Sequence, residues 1–134
     1  MPEKTTIQKA RKDLREGKCP STAAGEFVHE EIEHVREGKH GARSARQAIA
    51  IGLSRARRAG IPLKPPAAGK TSRTIRSKAK ADYKTGQASP KISAEGTTKR
   101  GRASLKALKK EPTNTTSHAA LSRHAKSVAR SKQR

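Results

Sequence analysis

His29-Glu30-Glu31-Ile32-Glu33-His34 puts two imidazoles and three carboxylates into six residues, the densest collection of groups able to bind a metal or move a proton in the chain. A zinc-protease helix needs its histidines four apart, so that both reach one ion. Here they are five apart, about 140° around a helix. The spacing predicts two surface histidines instead, His29 pairing with Glu33 and His34 with Glu30 one turn away. His118 and His124 are six apart with no cysteine pair beside them, so no metal ligand is expected. Cys19 follows Lys18, whose charge favours a thiolate, but as the single cysteine it is expected to sit in an interhelical loop and has no partner for an internal disulfide. No glycine-rich phosphate loop, nucleophile elbow or paired-carboxylate pocket can be assembled, so the expectation is a protein that is no enzyme and uses no cofactor.

The chemistry the residue types do support is charge. The 134 residues include 32 Lys plus Arg against 11 Asp plus Glu, a formal charge of +21. Up to Gly60 there are 13 basic and 8 acidic residues, and after it 19 and 3. Cations spread between small neutral residues suit a linear polyanion, whose condensed counterions they release. The residues expected to contact phosphates are Lys39, Arg43, Arg46, Arg55, Arg57 and Arg58 in and before the third predicted helix. In the tail they are Arg73, Arg76, Lys78, Lys80, Lys99, Arg100, Arg102, Lys106, Lys109, Lys110, Arg123, Lys126 and Arg130. One Phe, one Tyr and no Trp leave too little aromatic surface for readout by base stacking.

Elements must position these cations, and glycines punctuate them. Arg15-Glu16-Gly17-Lys18 recurs as Arg36-Glu37-Gly38-Lys39, and Arg58-Ala59-Gly60 closes a third segment. Glycine just past a helix permits the left-handed turn that ends it. Three helices follow, at about 6–16, 22–37 and 45–59. The first has the stripe Ile7, Ala10 and Leu14. The second has Ala24, Val28, Ile32 and Val35, flanked by Phe27. The third has Ala45, Ala48, Ile49, Gly52, Leu53 and Ala56. Ser44 and Gln47 form a capping box at the start of the third, and Ser21 or Thr22 caps the second.

Acidic residues crowd the second helix (Glu26, Glu30, Glu31, Glu33, Glu37), while no Asp or Glu lies between Gly38 and Gly60. The two helices are therefore expected to pair acid against base. Leu, Ile, Val and Phe number only 17, a share below the roughly 20% that at high net charge marks disorder. The fold class expected is mainly α: a small three-helix domain over 1–63, then a largely disordered basic tail over 64–134. Two short helices, Ala103 to Lys110 and Ser117 to Ser131 capped by Ser117, form there on contact with an anion. So thin a core leaves a second copy or a protein partner of the helical domain as a means of completing it.

Lys99-Arg100-Gly101-Arg102-Ala103 resembles the AT-hook, whose extended Arg-Gly-Arg core lies in the minor groove. Ala103 stands where that pattern has proline, so the stiffness of the hook is missing and minor-groove insertion is not the expected mode. Arg46 to Gly60, RQAIAIGLSRARRAG, resembles the signature of a family of small basic bacterial proteins filed as a domain of unknown function. That resemblance covers roughly Phe27 to Gly60 and implies a bacterial cytoplasmic origin with lysine-rich flanks, and no activity. By composition the tail is similar to those of linker histones and of bacterial histone-like proteins.

No run approaches the roughly 18 apolar residues of a membrane span, and the first residues lack the apolar stretch of a secretory signal. Asn114-Thr115-Thr116 matches a glycosylation acceptor, a match without a secretion route to make it meaningful. The expectation is a cytoplasmic, nucleoid-associated DNA-binding protein without membrane contact. The alternatives are a ribosome- or RNA-associated protein, or a protein-interaction module built on the acidic second helix.

Overall fold

Left-handed glycines end each of the first three helices, with φ of 81° at Gly17, 77° at Gly38 and 98° at Gly60. The same pair of hydrogen bonds closes all three turns. Gly17 N donates to Leu14 O and Lys18 N to Asp13 O. Gly38 and Lys39 donate likewise to Val35 and His34, and Gly60 and Ile61 to Arg57 and Ala56. This is the Schellman arrangement, in which carbonyls left over at a helix end are satisfied by the two residues that turn away from it.

The structure, a computed structural model, describes residues 4–88 and 99–132, the last of these by its backbone alone. The described residues form helices α1 (Lys4–Arg15), α2 (Pro20–Arg36), α3 (Ala45–Arg58), α4 (Arg73–Ala88), α5 (Lys99–Lys109) and α6 (His118–Lys132), with a 3-10 turn at Asn114–Thr116. No strand occurs among them. The chain divides into two compact units, Met1–Glu30 with Ile51–Ala94, and Glu31–Ala50 with Glu95–Arg134. Each takes residues from both sides of Leu63.

The largely disordered tail is corrected by three helices after residue 72. Two coincide with the expected segments: α5 contains Ala103 to Lys109, and α6 begins behind Ser117, whose Oγ accepts from Ala120 N. The third, α4, was unexpected. Ser72 caps it by accepting from Ile75 N at 3.3 Å, and its packed face is Ala79, Asp82 and Gly86 while Ile75 is 57% exposed. Small residues let the helix backbone come close to its neighbour, a source of packing that apolar periodicity does not reveal.

In the first unit the core is Ile7 and Ala10 of α1, Ala23, Ala24 and Phe27 of α2, and Ala56, Ala59 and Ile61 at the end of α3, with Leu14, Leu53 and Leu63 packed on it. Phe27, expected at the flank, is its fully buried centre. The packed face of α2 is rotated from the predicted stripe: Ala23, Ala24, Phe27, Glu30, Glu31, His34 and Val35 are buried, and Val28 and Ile32 are half-buried.

The second unit has a much smaller apolar cluster, Val35, Ala42 and Ala48. Hydrogen bonds carry more of its order. Gly41 N donates to Leu108 O and Ala42 N to Pro112 O, at 2.8 and 2.9 Å. Thr115 Oγ1 donates to Ala42 O, and Arg36 Nε to Thr116 O. Ser44 Oγ caps α3 by accepting from Gln47 N at 3.2 Å, and the Gln47 side chain accepts from Arg43 N, one residue beyond the Ser44 amide of the expected capping box.

Candidate nucleic-acid interface

Four residues per helix face is the interval that turns a basic sequence into a directional surface. On α5, Lys99, Arg102, Lys106 and Lys109 fall within an arc of about 80°, all exposed, on a helix with no buried residue. On α6, Arg123, Lys126 and Arg130 occupy one face and are exposed. Neither helix contains an acidic residue. On α4, Arg73, Arg76, Lys80 and Lys84 share a face, with Arg76 partly buried because its Nε donates to Pro66 O at 3.3 Å. Lys84 was not among the expected contacts, and the spacing of four from Lys80 is the signal that marks it.

The second unit also brings cations together across sequence. Arg43 and Arg46 at the start of α3 and Arg123 and His124 of α6 line one open recess of about 600 Å³, with Asn114 and Thr115 on its wall. Arg43, Arg46 and Arg123 are exposed. Three guanidinium groups and an imidazole around one space form an anion-attracting concavity. Lys39 is exposed and lies 3.4 Å from Glu37. Lys78, Lys80, Arg100 and Lys110 are exposed as well. Arg100-Gly101-Arg102 is helical, not the extended form an AT-hook requires.

Three arginines of α3 also interact within the fold, to different depths. Arg57 is buried, with Nε donating to Leu63 O at 3.2 Å and a second guanidinium nitrogen to Lys64 O at 3.5 Å. Burial pushes its guanidinium below the usual range, against the pull of Asp82. Arg58 Nε donates to Asp82 Oδ1 at 2.9 Å, and Ser54 Oγ donates to the other oxygen of that carboxylate at 2.7 Å. Arg55 is half-buried, and burial pushes its guanidinium down to about 10 although Glu30 favours the charge. Arg57, among the expected phosphate contacts, thus directs two of its guanidinium nitrogens to carbonyls inside the first unit.

The predicted pairing of acidic α2 with basic α3 is realised in part, by Glu30 and Arg55. Arg58 turns to Asp82 of α4, and Glu33 lies 3.5 Å from Arg36 on its own helix.

Glu31, His34 and His40 were missed as a group. His34 is not the surface histidine expected: it is 8% exposed, Glu31 is fully buried and His40 is 3% exposed. His34 Nδ1 lies 3.6 Å from Glu31 Oε1, and His40 Nε2 lies 3.3 Å from Glu31 Oε2. The two rings meet edge to face, with centroids 6.1 Å apart. Only the rotated face of α2 and the turn at Gly38 bring them together, and neither is visible in the spacing of His29 and His34. Cys19 is an exposed thiol, and its carbonyl accepts the first amides of α2. No described helix is long and apolar enough to cross a membrane.

No protein-family model matches the chain, and comparison with curated proteins and with solved structures finds no match.

Proposed function

We infer that this protein is a sequence-tolerant DNA-binding protein of the bacterial nucleoid, histone-like in its chemistry, which neutralises phosphates and carries out no catalytic step. The observation that carries this reading is the row of exposed cations along one face of each of α5 and α6, helices that contain no acidic residue. From Arg123 to Arg130 the axis rises about 10 Å, a distance over which one DNA strand carries about three phosphates. The Arg43, Arg46 and Arg123 recess offers the same chemistry at one point. The bacterial setting rests on the resemblance to small basic bacterial proteins over roughly Phe27 to Gly60, with Arg46 to Gly60 as its signature.

Salt dependence tests the reading. With about eight phosphate contacts, the logarithm of affinity for duplex DNA falls against the logarithm of salt with a slope near −7. A slope shallower than about −2 overturns the mechanism. Competition with folded RNA then separates the two nucleic acids: a DNA protein keeps its duplex when RNA is in excess, and a reversed preference assigns RNA instead.

A further inference from the structure

His40 fixes the argument through its two ring nitrogens. Nδ1 lies 2.9 Å from the carbonyl oxygen of Gly41. A carbonyl only accepts, so Nδ1 carries the hydrogen and the neutral ring presents a bare lone pair at Nε2. That nitrogen is buried, has no hydrogen-bond partner, and faces Glu31 Oε2 at 3.3 Å. With the ring neutral, the Nε2 lone pair and the carboxylate oxygen repel at that distance, and a cation between them turns the repulsion into binding.

The geometry points to a site for one divalent transition-metal ion, zinc in the first instance, held by Glu31, His34 and His40. One ligand atom from each lies within 4.8 Å of the others. Two ligands on a tetrahedral zinc are about 3.3–3.4 Å apart, close to the 3.3 Å from His40 Nε2 to one oxygen of Glu31 and the 3.6 Å from His34 Nδ1 to the other. Imidazole with one carboxylate suits zinc better than calcium or magnesium, which prefer all-oxygen shells. The hydrogen bond from Nδ1 to the Gly41 carbonyl is the outer contact that orients a metal-binding histidine. Among the described residues no fourth His, Cys, Asp or Glu joins the group, which leaves one coordination position for water.

The ion has a task in the second unit. Glu31 and His34 are one turn apart near the end of α2, and His40 follows the left-handed turn at Gly38 on the way to α3. The unit's apolar cluster is only Val35, Ala42 and Ala48, and a metal is a common substitute for a small core. The site stands independently of the nucleic-acid reading.

The test uses untagged full-length protein, stripped with a chelator and titrated with Zn²⁺ by calorimetry and with Co²⁺ by visible absorption. The expected result is one equivalent bound at micromolar affinity or tighter, with the intense cobalt bands of a four-coordinate site. His40→Gln weakens binding at least tenfold, as loss of a ligand must, whereas a variant with His29, His118 and His124 all changed to Gln binds as the wild type does. Should His40→Gln fail to fold, imidazole NMR of the wild type decides: zinc shifts the His34 and His40 resonances and leaves the other three in place. No binding by the wild type, binding that His40→Gln leaves intact, or shifts confined to His29, His118 and His124 overturns the proposal.

Discussion

Gly52 of α3 lies against the main chain of Val28 of α2, so that a Cβ built on Gly52 falls 2.6 Å from Val28 Cα and 2.9 Å from its nitrogen. The neighbour is backbone and cannot rotate away, so any side chain at 52 must push the helices apart. Gly52→Ala gains up to about 1 kcal/mol of helix propensity, yet overpacking costs about 1–3 kcal/mol, and the clash wins. Gly25 is the control: it is helical with open space around its would-be Cβ, and Gly25→Ala is expected to stabilise by up to about 1 kcal/mol. Urea denaturation of the two variants should move the midpoint in opposite directions, and shifts of the same sign would refute the close helix approach.

Gly17 and Gly38 give a different signature, because neither has a neighbour within 4 Å of a Cβ but both are left-handed. Here only backbone conformation is at stake. Changing either to Ala is expected to cost about 1–2 kcal/mol, and Gly38→Asn less than Gly38→Ala, since Asn tolerates that region better. Equal losses for Asn and Ala would show that the cost lies in something other than the turn.

These turns were legible in the sequence because a Schellman end is built from neighbouring residues. Ser44 and Ser117 were legible as caps for the same reason. The packed face of α2 was not, since Glu30, Glu31 and His34 occupy it while Val28 and Ile32 stay half-buried. Polar groups on a buried face defeat hydrophobic periodicity. Helix α4 escaped for a related reason: its packed face is Ala79, Asp82 and Gly86. Charge pointed to a cationic surface as a whole, but not to which arginines have partners inside the fold. That depends on partners distant in sequence, as with Arg58 and Asp82, 24 residues apart.

Asp82 is 7% exposed and accepts from Arg58 and Ser54 on separate oxygens. Removing it strands the Ser54 hydroxyl and leaves Arg58, half-exposed, to water. Asp82→Ala is expected to cost about 2–3 kcal/mol, and Ser54→Ala about 1 kcal/mol because the carboxylate keeps its charged partner. The double variant should cost less than the two added together. Strict additivity by chemical denaturation would mean that the three groups do not act as one network.

Arg57 and Lys126 separate cations that hold the fold from cations proposed to meet phosphate. Arg57 is buried and donates to the carbonyls of Leu63 and Lys64, and Lys126 stands exposed on α6. Arg57→Gln orphans two carbonyl contacts, so a loss of about 1–3 kcal/mol in stability is expected, with the salt slope of DNA binding unchanged. Lys126→Gln leaves stability within about 0.5 kcal/mol and makes the slope shallower by about one, as removal of a single phosphate contact requires. Melting curves and binding isotherms over a range of salt read both quantities on the same preparations. If Arg57→Gln instead flattens the slope at full stability, its guanidinium faces the nucleic acid and the division drawn between the two residues is wrong.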